Sequence, residues 1–137
     1  MLFRWNTIGT AFQAKTNIRS FKEFTHFVNV HVVTAGAFMG STLEEIEFPD
    51  VTVIQWNVFR NALLVEATVP ATITAIREYS FYCTTLTKLT ILATTPPAVT
   101  IPPANTTCLF YVPAASVDAY KNASGWSSLA SRIYAIP

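Results

Sequence analysis

The chain is organised by a heptapeptide pattern that occurs three times. Leu43-Glu-Glu-Ile46-Glu-Phe48-Pro49 recurs as Leu64-Val-Glu-Ala67-Thr-Val69-Pro70 and as Leu86-Thr-Lys-Leu89-Thr-Ile91-Leu92, at steps of 21 and 22 residues. A second pattern has an aliphatic residue five positions before a phenylalanine. It keeps the same steps and ends at Phe38, Phe59 and Phe81. Two patterns that stay in phase over three units predict a leucine-rich-repeat solenoid.

One unit supplies a strand and a return segment. Ile46 and Phe48 alternate with glutamates, which predicts a half-buried strand over 43–48 with its apolar side inward. Pro49 and Pro70 cannot donate to a ladder, so each strand ends there. The aliphatic and phenylalanine segment then returns along the other side of the coil. A single unit cannot bury its apolar face, so neighbouring units must stack.

Length and composition predict one domain, 1–137, that is mainly β with short helical segments. Within it, 1–32 is a degenerate first unit, 33–92 holds the regular repeats, and 93–137 is a proline-rich loop with a C-terminal α/β cap. Half of the residues are apolar, 12% are charged and the net charge is +1. Such a balance gives no basic surface for nucleic acid. The longest apolar run falls far short of the roughly 20 residues of a membrane helix, so membrane insertion is not expected.

The N-terminal region has two features that fit this plan. Residues 7–12 look like the second half of a unit, and Trp5 is placed to shield the open end of the solenoid, since an end exposes apolar surface and a strand edge. Residues 18–27 predict a short strand followed by an irregular or helical turn, with His26 in a strand-like position among phenylalanines.

The C-terminal region predicts a cap. Four prolines predict a loop over 93–107, because proline disfavours both a helix and a central strand. We do not interpret this loop as a linker between two domains, since the segment 108–137 is too short to fold alone. Strands are expected at 108–112 and 133–136. Between them we expect a helix capped by Ser116, with Asp118 in its first turn and Gly125 ending it. The expected inward side chains are Val117, Tyr120, Trp126, Leu129 and Ile133.

These residues carry a resemblance. Phe81-Tyr-Cys83-Thr-Thr-Leu86-Thr-Lys-Leu89-Thr-Ile91 is similar to the unit of BspA-type leucine-rich repeat proteins of anaerobic gut and oral bacteria, and 93–126 is similar to their terminal module. Ile18-Arg-Ser-Phe21-Lys-Glu-Phe24 resembles their leading segment. The chain departs from the pattern at Gly40 and Asn61, where a cysteine is usual, and at Ala67. The resemblance implies a non-enzymatic surface protein that binds host matrix proteins or other bacteria.

The residues predict no catalytic, cofactor or metal site. His26 and His31 are the only histidines, and neither lies in a catalytic or metal-binding motif. The cluster of Glu44, Glu45 and Glu47 admits a glycosidase pair, but we interpret these carboxylates as outward positions of a solvated strand. Asn105 and Asn122 match the glycosylation pattern, to which we assign no role.

The two cysteines, Cys83 and Cys108, leave two interpretations open. They pair in a disulfide if the protein is exported, or they pack as free thiols. We favour packed thiols, because Cys83 occupies the position where the family places a small buried thiol. Their spacing does not make a zinc site.

What remains is a recognition surface. Strands in a solenoid stack about 4.8 Å apart, so outward residues form columns. The predicted column begins at Ser20 and Lys22 and continues through Glu45, Glu47, Glu66, Thr68, Lys88 and Thr90 to Tyr111. Trp56 and Tyr79 on the return side are second candidates, because an exposed tryptophan suggests a contact. The alternatives are an ordinary solvated sheet, and aromatic rings that pack on a neighbouring coil.

We weigh three function hypotheses. The first is an adhesion module of a bacterial cell-surface protein that binds a host matrix or bacterial surface protein. The second is a phage or prophage virion component, favoured by the short chain and by a start, Met1-Leu-Phe-Arg-Trp5, without a secretory signal; the alternative is a fragment of a longer exported protein. The third is a carbohydrate-binding domain that loses glycan binding on Trp56→Ala. Self-association into a homo-oligomer is a further hypothesis, drawn from the apolar composition and the two solenoid ends.

Overall fold

The computed structural model describes residues 6–99 and 103–137. Within these two ranges, short strands are joined by turns, and one α-helix and three 3-10 helices lie towards the ends. The strands are β1 (Ser20–Phe21), β2 (Val32–Val33), β3 (Glu45–Ile46), β4 (Val53–Ile54), β5 (Glu66–Val69), β6 (Ala75–Ile76), β7 (Lys88–Ile91), β8 (Leu109–Val112) and β9 (Ile133–Ala135). The helices are α1 (Val117–Asn122) and the 3-10 helices Lys22–His26, Ala114–Ser116 and Ser127–Arg132.

The strands pair in parallel on two sides of a coil. On the first side β1 pairs with β3, and β5, β7, β8 and β9 form a four-stranded sheet in that order. On the second side β2, β4 and β6 form a three-stranded sheet. The mainly β solenoid predicted from the repeats is therefore confirmed. The strand predicted over 43–48 is only two residues long, but β5 does end at Val69, before Pro70.

The first side is interrupted between β3 and β5. The two strands lie next to each other. In the described part of the chain, however, no backbone hydrogen bond joins Glu45–Ile46 to Glu66–Val69. The predicted sheet column therefore runs over two sheets rather than one.

A column of phenylalanine rings fills the interior of the coil. Phe38, Phe59 and Phe81 are fully buried, and their rings stack with centroids 5.2 and 5.1 Å apart. Phe12 adds a fourth ring, 5.4 Å from that of Phe38, and Ile8 bridges to Val33 in β2. Residues 7–12 thus stack on the coil that contains Phe38. Trp5, expected to shield the end, lies outside the described residues.

The third side of the coil is a turn that uses left-handed backbone. Gly36, Asn57 and Tyr79 occupy equivalent positions at φ +69°, +59° and +55°. Gly40 and Asn61 are left-handed as well. Glycine and asparagine tolerate this conformation, whereas cysteine disfavours it. Cys83, which holds the equivalent position in the next coil, has no positive φ and so meets no such penalty.

Threonine hydroxyls tie successive coils together. Thr42 donates to Ile18 O at 2.8 Å and Thr85 to Leu64 O at 2.7 Å. Thr72 donates to Val51 O at 2.8 Å and Thr74 to Thr52 O at 3.0 Å, while Thr52 itself donates to His31 O at 3.1 Å. Each bond reaches the coil before it, so threonine serves the stacking of units as well as the strands.

The C-terminal cap is anchored by aromatic side chains that donate hydrogen bonds. Tyr120 donates its hydroxyl to Ala93 O at 2.8 Å, and Trp126 donates Nε1–H to Pro97 O at 2.7 Å. Both side chains are fully buried. The segment that they hold also continues the second side, since Ala98 bridges to Ala75 and Ala104 to Phe81. The described part of the predicted loop is therefore a further, irregular coil.

Three local predictions need correction. Helix α1 ends at Asn122, not at Gly125. Gly125 has a φ of +80° and lies in a turn that packs against Val99, where a Cβ would clash with Val99 O. Ser116 stands at the N-cap but makes no capping bond, because it is the last residue of the 3-10 helix Ala114–Ser116 and its backbone is already helical. His26 is the exposed last residue of the 3-10 helix Lys22–His26, not a strand residue, because the chain turns directly after β1.

Candidate functional site

The register brings the predicted column together. Glu66 pairs with Lys88, and Thr68 with Thr90, which in turn pairs with Tyr111. On the other sheet Ser20 pairs with Glu45. Lys22 lies just past β1, in the 3-10 helix, and reaches the column through its long side chain rather than through strand register.

An open depression of about 740 Å³ lies on this face, where the sheet is interrupted. Its charged lining consists of four carboxylates and two ammonium groups: Glu44, Glu45, Glu47, Glu66, Lys22 and Lys88. Its apolar lining includes Phe48, Val65 and Leu92. Val65 and Leu92 are 51% and 42% exposed, so both apolar side chains remain available to a partner. We call this surface the acidic depression.

Ion pairs neutralise three of its four carboxylates. Glu44 contacts Arg19 at 2.8 Å, Glu45 contacts Lys22 at 3.3 Å and Glu66 contacts Lys88 at 3.9 Å. These side chains are largely exposed, so each pair contributes little to folding and can exchange for a partner's charge. Across the described ranges, no cation lies within ion-pair distance of Glu47.

Two tyrosines lie at the C-terminal end of the same face, and the sequence pattern predicted only one of them. Tyr111 was predicted as the end of the column, but the column continues to Tyr134 in β9, which is 47% exposed. The rings of Tyr111 and Tyr134 lie 5.9 Å apart, and Lys88 Nζ lies 5.3 Å from the centre of the Tyr111 ring. The signal for Tyr134 was its alternation with Ile133 in the last predicted strand.

The second candidate surface is on the third side of the coil. Trp56 and Tyr79 are 51% and 42% exposed, so neither packs inside. Tyr82 stands next to Tyr79, its ring centroid 5.5 Å away and its plane at 88°. The guanidinium of Arg60 lies 5.3 Å from the centre of the Tyr79 ring. None of these four residues lines the acidic depression, so the sequence-predicted candidates divide between two surfaces.

The remaining reactive groups do not form a catalytic arrangement. His26 and His31 are both exposed, and His31 Nδ1 contacts Asp50 O at 3.2 Å. Both cysteines are free and buried, and burial raises the pKa of each thiol to about 12, so both stay protonated at neutral pH. Among residues 6–99 and 103–137, no group of three or more His, Cys, Asp or Glu side chains is placed to hold a metal ion.

The asparagine of the first glycosylation pattern is part of the core. Asn105 Nδ2 donates to Cys83 O and to Leu86 O, and Asn105 Oδ1 accepts from the Cys108 amide at 2.9 Å. Its side chain is 8% exposed. The amide is therefore committed to joining the last regular repeat to the cap.

Comparison with known families decides what kind of protein this is. The profile described as BspA type Leucine rich repeat region matches residues 7–99 in six copies. The chain belongs to this family. No curated protein matches the chain. The BspA-type match begins in the irregular first coil, in agreement with the position of Ile8 and Phe12, and it extends past β7 into the segment that the cap covers.

BspA-type membership gives the function in outline. Leucine-rich repeat domains are repeat proteins that generally mediate protein–protein interaction, and they are typically not enzymes. BspA-type repeats are typical of bacterial surface proteins. No helix in the described part of this BspA-type chain combines the length and hydropathy of a membrane span.

Proposed function

We propose that this BspA-type domain is an adhesion module of a bacterial cell surface, and that its acidic depression binds an extended, basic segment of a partner protein. The observation that carries the proposal is the exposed Glu47 carboxylate, which lacks a counter-ion among the described residues and shares the lining of the depression with apolar side chains. A lysine or arginine of the partner would supply the missing charge.

The shape of the surface supports an extended occupant. The depression runs across β3, β5 and β7, and it is open rather than enclosed. In an extended segment every second side chain points to the same side. A basic residue can therefore reach Glu47 while the residues two positions before and after it contact Val65 and Leu92. Apolar contact contributes affinity, and the carboxylates select for charge.

The test is a binding titration with a fluorescently labelled peptide of alternating lysine and valine. Glu47→Lys should weaken binding about tenfold, or about 1.4 kcal/mol, because attraction becomes repulsion. Asp118→Lys is the matched control: it makes the same charge change on α1, outside the depression. Affinity should fall with added salt. Equal binding by the wild type and the Glu47→Lys variant would refute the proposal.

A further inference from the structure

Exposed aromatic residues lie on the third side of the coil. Trp56, Tyr79 and Tyr82 are 51%, 42% and 39% exposed, and Arg60 is also exposed. We call these four residues the aromatic knob. Tryptophan, tyrosine and arginine are the residues most enriched where protein contacts concentrate their binding energy.

Tyr79 occupies a strained backbone position. Its φ is +55°, at the position that Gly36 and Asn57 hold in the preceding coils. A bulky side chain is disfavoured there, and glycine or asparagine would remove the cost. Because the ring is not buried, core packing does not explain the choice of tyrosine. Strain kept at an exposed aromatic residue indicates a binding role.

The knob carries one cationic group, the guanidinium of Arg60. Arg60 Nη1 lies 3.5 Å from Asn57 Oδ1, and its guanidinium covers the Tyr79 ring. No carboxylate in the described ranges forms an ion pair with Arg60. The knob therefore presents a planar cation beside apolar rings. It is complementary to a concave surface that offers a carboxylate between apolar walls.

The acidic depression of this same chain has those properties. Glu47 is the carboxylate without a counter-ion among the described residues, and Phe48, Val65 and Leu92 are the apolar walls. The depression is open and has a volume of about 740 Å³. Knob and depression lie on different sides of the coil and share no residue.

We infer that a second copy of the chain is the partner of the knob: the knob of one molecule docks in the acidic depression of the next, with Arg60 facing Glu47. The inference rests on the proposed function, because it uses the same depression. Since the two surfaces differ, the contact is heterologous and repeats head to tail into a chain or a closed ring. A flat sugar-binding platform fits less well, because the Tyr79 and Tyr82 rings stand at 88° to each other.

The test is the molar mass of the protein by size exclusion with light scattering over a range of concentrations. The wild type should grow in mass with concentration, and Arg60→Glu and Glu47→Lys should each be monomeric. A mixture of the two variants should assemble again, because the intact knob of the Glu47→Lys variant fits the intact depression of the Arg60→Glu variant, and the two exchanged charges also attract. The double variant Arg60→Glu/Glu47→Lys should assemble again, since the charges are exchanged.

A further variant separates loss of assembly from loss of folding. Tyr79→Gly suits the left-handed backbone, so it should keep the far-ultraviolet circular dichroism of the wild type and still lose assembly. A wild type that stays monomeric at every concentration, or a mixture that does not assemble, would overturn the inference. The labelled lysine and valine peptide separates the two proposals. If it binds Arg60→Glu while assembly is absent in the wild type, the proposed function stands and the inference falls.

Discussion

The ring of Phe38 stacks on the ring of Phe59 with 5.2 Å between centroids and 7° between planes. Phe81 continues the stack at 5.1 Å from Phe59. Because these rings sit at the same position in successive coils, the stack fixes the coils relative to one another. Phe48, which lines the acidic depression, meets the ring of Phe59 edge-on at 5.8 Å, so the face that carries the depression is tied directly to this core column.

Removing the central ring should destabilise the whole solenoid. Phe59→Ala leaves a cavity between Phe38 and Phe81 and should lower the free energy of unfolding by about 3–5 kcal/mol. Urea denaturation followed by circular dichroism measures it. Val28→Ala is the surface control, since Val28 is 45% exposed, and it should change stability by less than about 0.5 kcal/mol. A Phe59→Ala loss as small as the control would show that the stack does not hold the coils.

Adjacent threonines allow a matched test of the bonds between coils. Thr85 Oγ1 donates to Leu64 O at 2.7 Å, whereas Thr84 is exposed and makes no side-chain hydrogen bond within the described ranges. Thr85→Val should cost about 1 kcal/mol, because it leaves a partly buried carbonyl without its donor. Thr84→Val should be nearly neutral. Similar effects at both positions in urea denaturation would contradict the assignment.

The cap should depend on a single hydroxyl. Tyr120→Phe keeps the buried ring but removes the donor to Ala93 O, so it should cost about 1–1.5 kcal/mol. Tyr134→Phe is the same substitution at an exposed bond, to Ser131 O at 3.2 Å, and should cost a few tenths of a kcal/mol. Thermal unfolding of the two variants compares them. The anchoring role of Tyr120 is wrong if Tyr134→Phe is the more damaging change.

Stability should fall in alkali because of the buried thiols. Burial raises the pKa of Cys83 and Cys108 from 9.0 to about 12. Above pH 9 the unfolded chain releases thiol protons that the folded chain retains, so stability is full below that pH and declines as pH rises towards 12. The limiting slope is about 1.4 kcal/mol per pH unit for each thiol.

The thiol contribution can be isolated with one variant. Cys83→Ala should be less stable at pH 8, because it loses packing and the Sγ–H bond to Phe59 O, but its stability should decline less steeply between about pH 9 and 11. Urea denaturation at several pH values gives both slopes. The Tyr120 hydroxyl, whose pKa burial also raises, contributes equally to both proteins. Identical slopes would show that Cys83 does not titrate as described.

The sequence predicted the repeating core because the core is periodic. Phe38, Phe59 and Phe81 are visible as a 21- and 22-residue step, and the structure stacks them. The ends are not periodic, so their details were missed. The turn after α1 packs Gly125 against Val99, and the cap depends on Trp126 reaching Pro97 O. No spacing in the sequence gives a signal for either contact.

The candidate surfaces were predictable only in part. Strict alternation in the strands placed Glu66 opposite Lys88 and Thr68 opposite Thr90. The interruption between β3 and β5, where the depression lies, has no signal in the sequence, because the same alternating pattern occurs in both segments. Arg60 was missed beside Tyr79 because the two residues belong to different coils and meet only after stacking.

The most direct test of the central claim, that the acidic depression is the partner-binding surface, is an NMR titration of the ¹⁵N-labelled Arg60→Glu variant with the lysine and valine peptide. We expect amide shift changes that concentrate at Glu45–Ile46, Glu66–Val69 and Lys88–Ile91, the strands that line the depression. Shift changes confined to the third side around Trp56, or to the cap around α1, would contradict it.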